Sequence, residues 1–250
     1  MTEKLFTMTC GAGSSPLVLI HGWTCDHEAM LPVAEAFPNH ISLLVDLLGH
    51  GRSPRSDSYA IERQAQAVLG VAPARAIWVG HSMGGQVALA AAAMAPDRVA
   101  GIVLLDPAFI TPHEKARAFG ESMRAQLARV DIPSMIDAFA RHQFVKAADP
   151  AAVDRLVEVM RSTDPAVTRA AWDAVVDWDG RTTLEQVQCP VLLIAIDKPL
   201  NRPADLARIN NKVMTAQVAG SGHTLQFEVM DQIKPMILRF LEINDLLIAG

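Results

Sequence analysis

Cysteine is scarce in this sequence: Cys10, Cys25 and Cys189 are the only three in 250 residues. Odd in number and far apart, they fit neither a disulfide framework nor a zinc site, and a reducing cytoplasm is the expected compartment. Basic runs are missing too. The formal net charge is -5, which argues against nucleic acid or an anionic membrane as a partner. No apolar run is long enough to span a bilayer. Met1 to Thr9 lacks the basic region and long apolar stretch of a signal peptide. There are no internal repeats and no low-complexity tracts. What remains is ordinary for a globular chain: 50% of residues are hydrophobic and 20% charged. The length suffices for a full core in one α/β domain, with or without an insertion.

Against that background one stretch stands out, Gly80-His81-Ser82-Met83-Gly84-Gly85. It follows the apolar run Ala76 to Val79 and precedes an alanine-rich run from Gln86 to Ala95. Strand, tight turn and helix, with a serine at the turn in the pattern G-x-S-x-G, make a nucleophile elbow. A serine there must take a strained backbone conformation, and side chains two residues to either side would clash. Gly80 and Gly84 remove those side chains. The helix behind the turn aims free N–H groups and its positive dipole end at the same spot.

The chain in order supports an α/β fold. Lys4 to Thr9 reads as a short edge strand. Leu17 to Ile20, Ile41 to Val45, Val99 to Leu105 and Val191 to Ile196 are short continuous apolar runs, as expected of buried parallel strands. Met214 to Val218 is a last strand. Ala29 to Ala36 and Ile61 to Leu69 read as helices. Ile233, Ile237, Phe240 and Leu241 mark a closing amphipathic helix whose first turns are limited by Pro235. From about Phe109 to Val187 the periodicity is helical. Asp149-Pro150 and Asp164-Pro165 each pair an N-cap with proline at the first helical position. Strand–helix alternation implies a mostly parallel central sheet with helices on both faces. Residues 1–108 and 188–250 would form this core. Residues 109–187 would be a helical lid inserted between two strands, over the strand C-terminal ends where ligands bind in such sheets.

A serine hydroxyl at its free pKa is a poor nucleophile. It needs an adjacent base, and that base needs an orienting group. His223 is the best candidate base, because it lies in a glycine-flanked loop after the last strand. His21, His50 and His81 sit in tight turns, where structural hydrogen bonds are expected. His27, His40, His113 and His142 carry no motif and read as surface or cap residues. The chain order serine, acid, histidine admits two strand-end aspartates, Asp106 and Asp197. One oxyanion donor is the N–H of Met83, at the start of the elbow helix. Asp26-His27-Glu28 is a cluster of possible metal ligands. Adjacent residues rarely converge on one ion, so a solvated surface is the expectation, with neither metal nor organic cofactor.

Together, His21-Gly22-Trp23, the turn from Asp46 to Ser53, the elbow and Gly222-His223 resemble the α/β-hydrolase fold superfamily. The resemblance covers nearly the whole chain apart from residues 109–187. It implies the Trp23 N–H as the second oxyanion donor. Relatives usually carry the acid in a Gly-x-x-Asp turn after the strand equivalent to 191–196. Here Ile196 takes the glycine slot and Pro199 the aspartate slot, with Asp197 between them. Other relatives place the acid one strand earlier, where Asp106 lies. The resemblance therefore implies Ser82, His223 and Asp106 as the catalytic set, with Asp197 the second choice for the acid.

The reaction implied is hydrolysis of a carboxylic ester or lactone through an acyl-enzyme on Ser82. Dehalogenases and epoxide hydrolases of this fold use an aspartate at the elbow, which Ser82 excludes. Carbon–carbon bond hydrolases, cofactor-free perhydrolases or dioxygenases, and non-catalytic ligand receptors remain as alternatives. Phe139, Phe144, Trp172 and Trp178 in the helical segment suggest a largely apolar pocket for a small to medium, weakly polar acyl compound. The sequence does not show an oligomeric state.

Overall fold

The computed structural model describes residues 4–145 and 148–246. The first three and last four residues of the core delimited above lie outside the described residues. Seven strands form one sheet: β1 (Thr7–Cys10), β2 (Leu17–Ile20), β3 (Ser42–Val45), β4 (Ala76–His81), β5 (Val99–Leu105), β6 (Val191–Ala195) and β7 (Val213–Gln217). Their order across the sheet is β1-β3-β2-β4-β5-β6-β7. β1 runs antiparallel to β3, and every other pairing is parallel.

The apolar runs become strands because both faces of the sheet are covered. Val18, Ile20, Trp78, Ile102, Leu104 and Leu193 pack on one side. Leu17, Leu19, Ile77, Val79, Val103, Leu105 and Ile194 pack on the other. A strand buried on both faces has no need of polar alternation. The helices that cover it before β5 are α1 (Leu31–Ala36), α2 (Ile61–Leu69) and α3 (Met83–Met94). α3 is buried at ten of its twelve positions, from Met83 to Ala92, and its small residues let it lie close to the sheet.

Between β5 and β6 come five helices, α4 (Glu114–Leu127), α5 (Ile132–His142), α6 (Pro150–Ser162), α7 (Pro165–Asp177) and α8 (Gly180–Gln186). Aspartates 131, 149, 164 and 179 cap the last four of these, each accepting a backbone N–H from the first turn. The chain closes through α9 (Pro203–Ile209), α10 (Leu225–Glu228) and α11 (Met230–Ile243).

Three local expectations need correction, and two short helices carried no signal. The edge strand starts at Thr7 rather than Lys4, in register with Val45 of β3. The helix expected from Ala29 begins with a 3-10 turn, His27–Met30, before α1. α9 and α10 are too short to show helical periodicity in sequence. Pro235 does not limit α11, which runs through it. Ile233 N–H already bonds Val229 O at 3.1 Å. The proline removes one later bond, to the carbonyl of exposed Asp231, where water can take its place.

The strand order reverses direction at β2 and β4, so their C-terminal ends flank a crevice. His21-Gly22-Trp23 follows β2, and Ser82 follows β4. Asp106 follows β5, Asp197 follows the end of β6, and His223 lies in the loop after β7. One edge of the sheet thus collects every residue that the sequence singles out for chemistry.

Candidate active site

Ser82 turns from β4 into α3 with φ 52° and ψ -117°, a conformation that L side chains rarely adopt. The strain is held from both sides. Ser82 N–H donates to Leu105 O at 3.1 Å, and Ser82 O accepts from Gly85 N–H at 3.0 Å and Ala108 N–H at 3.1 Å. The glycines serve close packing: a Cβ on Gly80 would strike the Gly84 carbonyl, and one on Gly84 would strike the Ile20 carbonyl.

Asp106 also has positive φ, 39°, and is 3% exposed. Its Oδ2 lies 2.6 Å from His223 Nδ1. That carboxylate holds the proton on Nδ1, which leaves the Nε2 lone pair free. Asp197 is exposed, and its carboxylate accepts from Gln217 Nε2 at 3.4 Å. The structure therefore brings Asp106, not Asp197, to His223.

Ser82, Asp106 and His223 line one cavity of about 620 Å³ with Gly22 and Trp23. Trp23, Phe109, Phe139, Leu156, Met160 and Trp172 make much of its wall. Of the four aromatic residues picked from sequence, Phe139 and Trp172 face the cavity. Trp178 instead donates from Nε1 to Glu62 at 2.9 Å, and Phe144 packs against Phe227. Trp23 forms cavity wall, with its Nε1 tied to Thr168 O of α7 at 2.8 Å. The Met83 side chain is core. Among the described residues, no backbone partner receives the N–H of Trp23 or of Met83.

The turn from Asp46 to Ser53 buttresses the His21-Gly22-Trp23 turn. His21 Nε2 accepts from Leu47 N–H at 3.0 Å, so His21 Nδ1 carries the proton that it donates to Gly22 O at 2.8 Å. Burial and the neighbouring His50 push the His21 pKa down to about 3. His50 falls to about 4, chiefly through burial. Asp46 accepts from the N–H groups of His27 and Arg52 at 2.7 and 2.8 Å.

His27 corrects the surface reading. It is buried, and its Nδ1 lies 2.7 Å from Asp46 Oδ1. Its partner is 19 residues away on the end of another strand, so no local pattern marked it. Asp26 meanwhile caps the 3-10 turn. No group of three metal-ligating side chains converges among the described residues.

His81 Nε2 donates to the His223 carbonyl at 2.9 Å, and the two rings lie 4.7 Å apart. Burial, then the neighbouring His223, lowers the His81 pKa to about 3.

Residues that carry no motif complete the scaffold. Asn201 is buried and makes four backbone hydrogen bonds, each 2.8 Å. It accepts from Ile110 and Thr111 N–H and donates to Pro107 and Ala108 O. It thereby clamps the chain just after Asp106. Glu228 and Gln143 bind the loop of His223. No motif or periodicity in the sequence points to any of them.

A family model described as the alpha/beta hydrolase family matches residues 17–234. The chain belongs to the alpha/beta hydrolase family. Over 102 residues it is 44% identical to the pimeloyl-[acyl-carrier protein] methyl ester esterase of Edwardsiella ictaluri, covering 40% of each chain. Over 116 residues it is 38% identical to the same-named protein of Yersinia enterocolitica, covering 45% of each. The alignments thus span less than half the length of these relatives.

Among solved structures, a hydrolase from Oleispira antarctica superposes with a TM-score of 0.83 at 18% identity, covering 96% of both chains. The enol-lactonase of Burkholderia xenovorans superposes at 0.81 with 21% identity, covering 95% of this chain and 96% of that one. At such identities the likeness shows the fold. It covers nearly the whole chain.

Proposed function

We propose that this family member is a serine hydrolase that cleaves a carboxylic ester, or its cyclic form, a lactone, through an acyl-enzyme on Ser82. The observation that carries the reading is the 2.6 Å bond between His223 Nδ1 and Asp106, set in the cavity that Ser82 also lines.

His223 Nε2 takes the proton from Ser82 Oγ as that oxygen attacks the ester carbonyl. The Asp106 carboxylate steadies the imidazolium that results. Negative charge develops on the carbonyl oxygen, and the N–H groups of Trp23 and Met83 receive it. Such preorganised donors act where water is excluded and are worth about 3–4 kcal/mol each. The imidazolium then protonates the departing alkoxide, and the alcohol leaves. Next, Nε2 takes a proton from water as its oxygen attacks the acyl-enzyme. That proton returns to Ser82 Oγ, the acid departs, and the enzyme is restored. The protons that pass through His223 come from Ser82 and from water, and the backbone N–H groups of Trp23 and Met83 offset the charge on the oxyanion.

Residues 109–187 act as the lid of this site. Its apolar wall suits a small or medium acyl chain, and Lys198 and His142 lie at the cavity's polar margin. The esterases that the chain resembles are named for a methyl ester, so methyl esters of medium-length acyl chains are the first substrates to test. The cytoplasm is the compartment we favour, supported by three unpaired cysteines; burial pushes the Cys25 thiol pKa well up.

The test is incubation with p-nitrophenyl butyrate, a panel of methyl esters and lactones, and a fluorophosphonate label. Turnover is expected, with one label per chain at Ser82 and both lost in Ser82→Ala. Absence of turnover and of labelling would make the fold a ligand receptor instead.

A further inference from the structure

The loop that carries His223 is gripped from outside the triad. Its backbone N–H donates to Gln143 O at 2.7 Å. Glu228, five residues further on, holds the same loop through its carboxylate. Oε2 accepts from Gly222 N–H at 3.0 Å and from Thr224 Oγ1 at 3.2 Å, the residues on either side of His223. Oε1 reaches the other way and accepts from Val145 N–H at 2.8 Å. Gln143 and Val145 follow α5, within the inserted helical segment. The two backbones lie so close that a Cβ on Gly222 would strike the Gln143 carbonyl and sit 3.0 Å from Phe144 Cα.

Elsewhere the inserted segment is fastened to parts of the core outside the His223 loop. Gln86 of α3 donates to Phe109 O and Val175 O, both at 3.0 Å. Asn210 donates to Leu184 O and Val187 O at 2.9 and 2.8 Å. These bonds anchor the segment's entry, α7 and α8. The end formed by α5 and α6 is hydrogen-bonded to the core at Thr163, whose Oγ1 donates to Thr24 O at 3.0 Å, and at the His223 loop, and Phe139 packs edge-on against Trp23.

We propose that Glu228 is a positioning residue for the reaction: it ties the loop of His223 to residues 143–145, so that the imidazole keeps its register with Asp106 and Ser82 while that end of the lid is seated. The inference rests on the esterase reading of the site. Its chemistry is specific to a carboxylate. Four donors converge on Glu228, the fourth being Ser221 Oγ at 3.5 Å, and a carboxylate acceptor strengthens each bond. Glutamine has the same length but a single acceptor oxygen, and its amide would point N–H groups at N–H groups. Whichever way it turns, one arm of the tie breaks.

Glu228→Gln is therefore the test, with Glu228→Ala beside it. A misplacement approaching 1 Å at a reacting group costs about a hundredfold in rate. With p-nitrophenyl butyrate, kcat should fall by about ten- to a hundredfold in Glu228→Gln while KM stays within about threefold, because the apolar wall is untouched. Glu228→Ala should lose at least as much. The downfield proton NMR resonance of the His223 Nδ1–H, assigned by its loss in Asp106→Asn, should broaden or shift in both variants. Unchanged kcat and an unchanged resonance overturn the proposal, even if Tm drops, since Glu228 would then be only structural. A wild-type chain that neither turns over esters nor labels at Ser82 refutes the esterase reading separately. The resonance still reports the tie in that case, and its perturbation in Glu228→Gln supports it.

Discussion

Replacing Asp106 by asparagine separates the two strand-end aspartates. Asp106 is buried and bonded to His223 Nδ1 at 2.6 Å. Asparagine keeps the shape and removes the charge. In the transition state a full positive charge forms on the imidazole, roughly 4 Å from the carboxylate centre; at an effective dielectric of about 20 the attraction is worth about 4 kcal/mol, or about a thousandfold in rate. The amide can also present N–H to Nδ1, which moves the ring proton to Nε2 and removes the base. Together the losses should reach about a thousand- to ten-thousandfold in kcat. Asp197→Asn should stay within about twofold, since that carboxylate is exposed and meets Gln217 only at 3.4 Å. Steady-state hydrolysis of p-nitrophenyl butyrate by both variants, with active sites counted by fluorophosphonate titration, measures this. An Asp106→Asn enzyme within tenfold of wild type, or an Asp197→Asn enzyme as impaired as expected for Asp106, would refute the reasoning.

Three other outcomes follow from the same geometry. The positive φ of Ser82 suits glycine, so Ser82→Gly should be more stable than Ser82→Ala by about 1 kcal/mol in urea unfolding, the reverse of the usual order; an alanine variant of equal or greater stability would show that the turn stores no strain. Asn201→Ala leaves two N–H and two carbonyl groups without their buried partner, and should cost about 3 kcal/mol or more; a loss under about 1 kcal/mol would mean that water replaces the clamp. His21, His50 and His81 are kept neutral by burial, with pKa values of about 3, 4 and 3. The unfolded chain takes up protons that the folded one refuses, so this stability is present above pH about 6.5 and is lost as pH falls toward 4 and then 3. The slope approaches about 1.4 kcal/mol per pH unit for each histidine. A urea midpoint that does not fall between pH 7 and pH 5 would contradict the assignment.

The local part of this protein is legible in its residues. Buried strands read as unbroken apolar runs because each is covered on both faces. Ser82 reads as an elbow because Gly80 and Gly84 each stand two residues from it, although the clash that Gly84 avoids is with the distant Ile20 carbonyl. α6 and α7 read from their Asp-Pro pairs because a cap and its proline are adjacent in the chain. Errors gather where partners are distant. His27 looks like a surface residue until Asp46 is placed beside it. Pro235 looks like a helix limit until its turn is seen to face water. Phe144 and Trp178 look like pocket residues until helix orientation turns them elsewhere.

What the amino-acid order alone determined, then, is the run of buried strands, the longer helices with a cap or an apolar stripe, the strained serine and the histidine loop, because each depends on spacings shorter than one element. Only the folded sheet decided which carboxylate meets the imidazole. Asp106 and Asp197 both end strands, but the order of β5 and β6 and the positive φ at Asp106 bring one to His223 and leave the other in solvent. The ties made by Asn201 and Glu228 belong to the same tertiary layer, since hydrogen bonds between segments tens of residues apart leave no period or motif in the chain that makes them.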